Sequence, residues 1–177
     1  MVLIPGFLIS IVTFPGVIVH EIAHRLSADL LGIPVYQVCY FRVGNPAGYV
    51  VHAPVERVRD ALLISVTPLI VNTVLCALIT FSAVFPLFIL RAEQYSFVFI
   101  VIAWVGISVG MHAFPSNEDM NALVGMVSVQ QKGGITLAIA KIVSWVFKIA
   151  NALRFVWFDA IYAVGVSLLL PWAFGYL

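Results

Sequence analysis

Charge is the scarcest thing in this sequence. Of 177 residues, nine are Lys or Arg and eight are Asp or Glu, together 10%, while 63% are hydrophobic. A water-soluble domain clothes itself with roughly a quarter charged residues. A chain without them must meet lipid over most of its surface. No Lys/Arg run occurs and the net charge is only +1, so no nucleic-acid or other polyanion partner is expected. Cysteine is also scarce. Cys39 and Cys76 stand far apart with neither C-x-x-C spacing nor a disulfide framework, so two reduced, buried thiols are expected. The first apolar run lacks a basic lead and a small-residue cleavage site, so it is expected to stay as a membrane segment. There are no internal repeats and no long polar loop. Residues 1–177 read as a single integral-membrane domain.

What the chain has in quantity is apolar helix. A span needs ~20 apolar residues. Four stretches fit: roughly 6–31, closed by Gly32 and Pro34; 61–82; 96–113; and 155–176. A fifth, ITLAIAKIVSWVFKIANALR, carries Lys141, Ser144, Lys148 and Asn151 at helical spacing, with Arg154 near the same stripe. One charged stripe on an apolar helix suits the membrane surface better than a span. Four spans put Arg42, Arg57, Arg59, Lys132, Lys141, Lys148 and Arg154 on one side and Arg91 on the other. The excess of positive charge then places residues 32–60 and 114–154 in the cytoplasm. After the first span, VYQVCYFRV, GNP and AGYVVHA read as two β-rich runs around a turn. The expected fold is therefore an all-α polytopic membrane protein: about four transmembrane helices, a membrane-associated β-hairpin after the first, and an interfacial amphipathic helix before the last.

Three ionisable side chains stand together in HEIAH, residues 20–24. His20 and His24 are one turn apart and share a helix face, so they can offer two imidazole nitrogens to one Zn²⁺. Glu21 is rotated about 100° away and can act on a water without ligating the metal. This is the H-E-x-x-H arrangement of two ligands and a general base. Three ionisable groups inside a membrane segment are costly unless used. A catalytic zinc takes a third protein ligand. The candidates are His52, His112, Glu118, Asp119 and Asp159. The densest polar cluster elsewhere is GMHAFPSNEDMNAL, residues 110–123, where Pro115 ends one helix and Ser116 or Asn117 can cap the next. Asp119 would lie in the first turn of that new helix; Asp159 is the weaker rival. Arg25 and Asp29, four apart, are expected to pair away from the histidine face.

With these motifs in place, the chain resembles the site-2 protease family of intramembrane zinc metalloproteases. HEIAH matches the family's H-E-x-x-H. TPLIVN, 67–72, is similar to its G-P-x-x-N motif, with Thr67 in place of the glycine. HAFPSNED, 112–119, resembles its N-x-x-P-x-x-x-L-D-G motif. There His112 replaces the asparagine, the gap from Pro115 to Asp119 is one residue short, and Met120 replaces the glycine. AGYVVHAP sits where the family has a membrane-associated β-hairpin. The resemblance covers most of the chain and implies a minimal core with no PDZ or other regulatory domain.

It further implies one Zn²⁺ held by His20, His24 and Asp119, with Glu21 as the catalytic base and Asn72 holding substrate backbone. His112 would contact the substrate oxyanion or support Asp119. The expected substrate is a transmembrane protein or peptide, cut in the cytoplasmic half of the membrane through a zinc-bound water. The hairpin would hold the unwound segment by strand addition, and His52 would be structural. Two other classes compete. A non-hydrolytic zinc-binding protein that grips transmembrane segments would not need Glu21. A haem or proton-relay bundle would need a second histidine pair or a chain of acids across the bilayer, and neither is in the sequence.

Overall fold

The computed structural model describes residues 6–86, 96–130 and 134–176. Arg91 and Lys132, which entered the charge tally, lie outside them. In chain order the elements are α1 (Gly6–Val12), α2 (Phe14–Leu30), β1 (Val35–Cys39), β2 (Tyr49–His52), α3 (Val58–Val84), α4 (Ser96–Met111), α5 (Asn117–Val129), α6 (Ile135–Leu153), a 3₁₀ turn at Arg154–Val156, and α7 (Phe158–Ala173). The fold is mostly helical with one small antiparallel sheet.

By length and composition, two helical stretches among the described residues can cross a membrane: α3, and Ile135–Val156, which joins α6 to its turn; the bent α1–α2 pair makes a third if it counts as one span. Helices α4 and α7 are apolar but have 16 residues each, about 24 Å at 1.5 Å per residue against a ~30 Å hydrocarbon layer. The first expected span is not one straight helix. Helices α1 and α2 meet at a 92° bend. Pro15 causes the break: it has no N–H to continue the helix and sits instead in the first turn of α2. Thr13 closes α1, its N–H and Oγ1 both donating to the Ile9 carbonyl.

Helix α3 is the hub, packing against α2, α4, α5, α6 and α7. Its inward stripe is made of small and polar residues: Ser65, Asn72, Cys76, Thr80 and Ala83 are buried. On α4, Gly106 and Gly110 face that stripe. A Cβ at Gly106 would come 2.5 Å from Thr80 Cγ2, and one at Gly110 would come 2.6 Å from Cys76 Sγ. GISVG is thus a G-x-x-x-G helix contact. A second packing zone joins α3, α5 and α6, where Val58, Ala61, Phe114, Leu123, Leu137, Ala140, Phe147 and Ala150 form one buried apolar cluster.

The hairpin forms, with Val35 opposite His52 and Cys39 opposite Tyr49. Its position differs from a loop beyond the helix end. Gly32, at φ 69°, reverses the chain, and the hairpin runs back along the side of α2. The Phe41 ring reaches to 5.7 Å from Phe14, which in turn lies 5.8 Å from Trp104 of α4. Apolar side chains in the hairpin favour this return, because the flank of an apolar helix shelters them better than water does.

Candidate metal centre

Helix α2 presents His20 and His24 from its buried face. Their Nε2 atoms lie 3.1 Å apart. Asp119 arrives from α5, its Oδ2 3.6 Å from His20 Nε2 and 3.3 Å from His24 Nε2. Zinc bonded at ~2.0–2.1 Å in tetrahedral geometry separates its ligand atoms by about 3.3 Å. The three observed edges bracket that value, so the donor set fits a small divalent cation in both chemistry and spacing.

The surroundings fix which atoms point inward. His20 Nδ1–H donates to the His112 carbonyl at 2.7 Å, which leaves the Nε2 lone pair toward the centre. That carbonyl also accepts from Asn72 Nδ2 at 3.0 Å, and the same amide donates to the Val109 carbonyl at 3.1 Å. Asn72 is wholly buried. Its amide N–H groups are engaged by the main chain at the end of α4, which makes it a brace behind His20. Its Oδ1 has no partner among the described residues. The His112 ring likewise turns to the helix bend. Thr13 Oγ1 already donates to Ile9, so it accepts from His112 Nε2–H at 2.8 Å. In this arrangement the His112 side chain supports the α1–α2 corner, and its carbonyl serves His20.

Asp119 is held by the start of its own helix. Ser116 is the N-cap of α5, as the sequence suggests, and forms a capping box with Asp119. Ser116 N–H donates to Asp119 Oδ2 at 2.9 Å and Ser116 Oγ donates at 2.6 Å, while Asp119 N–H donates back to Ser116 Oγ at 3.2 Å. Burial works to raise the Asp119 carboxyl, but His24 and then His20 outweigh it and hold the group well below the usual carboxylate range. Behind the cap, Arg154 Nη2 donates to the carbonyls of Phe114 and Pro115, each at 3.2 Å. Arg154 Nε lies 2.9 Å from Asp159 Oδ2. Asp159, the rival ligand, therefore belongs to an ion pair at the α6–α7 junction. Glu118 is exposed, and His52 Nδ1 bonds the Ala53 carbonyl at 2.8 Å. Arg25 and Asp29 pair at 2.7 Å on the outer side of α2.

Glu21 is 8% exposed and makes no hydrogen bond among the described residues. Its side chain packs under the hairpin at Gly48, where a Cβ would come 2.7 Å from Glu21 Cγ and 2.9 Å from Oε1. Sequence reasoning missed Gly48, Arg154 and the bracing part of Asn72. Of these only Gly48 had a local signal, a glycine opening the second β-run. No family model, no curated protein and no solved structure matches the chain.

Proposed function

We propose that this protein is an intramembrane zinc metalloprotease that hydrolyses peptide bonds in transmembrane segments, as its resemblance to site-2 proteases implies. The observation that carries the reading is the triangle of His20, His24 and Asp119 ligand atoms at 3.1–3.6 Å, with a buried, unbonded Glu21 carboxylate beside it.

Zinc held by those three side chains supplies Lewis acidity toward a water and toward the scissile carbonyl. Glu21 takes a proton from the attacking water and delivers it to the leaving amine nitrogen. His20 stays oriented because its Nδ1–H is anchored on the His112 carbonyl. Ser116 holds the Asp119 carboxylate in place. The substrate helix must unwind before attack, since helical peptide bonds are closed by their own hydrogen bonds. The two-stranded hairpin has unpaired outer edges among the described residues, and these accept an extended segment beside Glu21.

The same reading takes α6 as interfacial, although its length permits a span. Lys141 and Lys148 both face outward in mid-helix. At the bilayer centre each would cost about 2.5–3.5 kcal/mol, whereas at the surface neither costs anything comparable. Helix α3, the bent α1–α2 pair, α4 and α7 then make up the embedded bundle.

The test combines metal analysis with cleavage. The purified chain is expected to hold about one zinc and to cut a transmembrane test peptide in detergent or liposomes. Glu21→Gln is expected to keep the zinc and abolish cleavage. Cleavage surviving in that variant would remove Glu21 from the mechanism. Zinc without cleavage in the wild type, across varied transmembrane peptides, would favour the non-hydrolytic gripping protein. A chain that takes up no zinc would sink both.

A further inference from the structure

Helix α6 has three distinct sides. Leu137, Ala140, Ser144, Phe147 and Ala150 are buried against the body of the protein. Ile142, Val146, Ile149 and Leu153 are exposed on the far side, an apolar face suited to acyl chains. Between the two, on the edge next to α5, run Lys141 and Lys148. They are two turns apart, about 10 Å along the axis at 1.5 Å per residue, and both are exposed. Neither has an acidic partner among the described residues. Arg25, Arg59 and Arg154, by contrast, each have one.

The neighbouring helix carries groups that favour water. Helix α5 exposes Asn117, Glu118, Asn121 and Ser128. The lysine edge therefore falls between a wet helix and a lipid-facing one, the level at which phosphate headgroups sit. There the two lysines flank Trp145, 66% exposed, over a cavity of about 220 Å³ completed by Val124, Val127 and Ser144. Exposed Trp with Lys is the pairing that settles at a membrane interface. The floor of the cavity is apolar and its rim is cationic.

We infer that this groove binds the headgroup of an anionic phospholipid. Lys141 and Lys148 take the phosphate and its added negative charge, Trp145 lies along the glycerol region, and an acyl chain follows the apolar face of α6. The inference rests on the interfacial placement of α6 and does not depend on the zinc or protease assignment. Bound there, lipid fixes the α5–α6 pair, and α5 carries Asp119 at its start.

Native mass spectrometry of the full chain, released from micelles and titrated with phosphatidylglycerol or phosphatidylcholine, tests this. The wild type is expected to prefer the first phosphatidylglycerol by on the order of tenfold, from roughly one favourable charge contact per lysine. Lys141→Gln with Lys148→Gln is expected to bind both lipids alike, and the double arginine variant to keep the preference. Should the glutamine variant fold poorly, salt provides a second measurement: the wild-type preference must fall as ionic strength rises. Glu21→Gln is expected to leave the preference unchanged, which separates this idea from the catalytic one. A preference that survives the double glutamine change, or that is insensitive to salt, overturns the assignment. So does displacement of the lipid by an equal concentration of inorganic phosphate, because the groove would then read a free anion.

Discussion

A side chain that touches no metal can still decide whether a metal is held. Ser116 directs both its N–H and its hydroxyl to the Asp119 oxygen that faces the histidines. Ser116→Ala removes the hydroxyl and an N-cap worth about 1 kcal/mol. Zinc affinity is expected to fall ten- to hundredfold, the range typical of a lost supporting contact, with Ser116→Thr restoring most of it. Competition against a chelator of known affinity measures the change. Asp119→Ala is expected to empty the site while Glu118→Ala, on an exposed carboxylate, leaves zinc in place. The reverse pattern would move the third ligand by one residue. Gly48 acts on the base instead. Gly48→Ala drives a methyl into Glu21, so cleavage should drop several-fold at unchanged zinc content. Equal loss of zinc and cleavage would show that the hairpin shapes the whole centre and not Glu21 alone.

Between elements, the arrangement depends on how closely helices approach. Gly16 lies one turn before His20. A Cβ there would meet the Ser108 carbonyl oxygen at 1.9 Å and His112 Cδ2 at 2.7 Å. Gly16→Ala must therefore separate α2 from α4, at a cost of about 1–3 kcal/mol or more. The same movement draws His20 away from the His112 carbonyl. The expected outcome is a lower unfolding midpoint together with weaker zinc binding, followed by thermal or denaturant unfolding of the zinc-free and zinc-loaded chain. A stable, fully loaded Gly16→Ala protein would mean that this crossing has slack the contact distances do not suggest. The H-E-x-x-H spacing places two imidazoles on one helix face wherever that helix goes. The Pro15 break and the Gly16 contact decide which way the face points. Pro15 is visible in the sequence, but prolines are tolerated in membrane helices, so residues 6–31 read there as one span. The direction of the bend depends on Thr13 meeting His112, ninety-nine residues away.

Taken whole, the molecule has its two packing zones joined by α3, and one arginine adds a polar tie. Arg154 ties the end of α6 and the start of α7 to the turn that precedes Asp119. Arg154→Gln should loosen that turn and leave Asp159 without its counter-charge, lowering both stability and zinc occupancy. Adding Asp159→Asn should recover part of the stability, because the uncompensated carboxylate is then gone, but little of the zinc binding. Strict additivity in that double-mutant cycle would show that the pair is not coupled. The lysine edge of α6 belongs to the same scale, since it lies on the helix pair that carries Asp119.

The sequence alone determined that the chain is apolar and helical, that three ionisable side chains stand together at His20–His24, and that a capped helix begins at Ser116 or Asn117. These follow from composition, from helical periodicity and from a cap made by a residue three places away, all properties of near neighbours. Tertiary structure decided what no local pattern contains. It brought Asp119 to the histidines and sent Asp159 to Arg154. It turned Asn72 inward against helix carbonyls and laid Gly48 over Glu21. Each of these is a contact between residues far apart in the chain, set by which small residues let helices approach and which buried donors needed an acceptor.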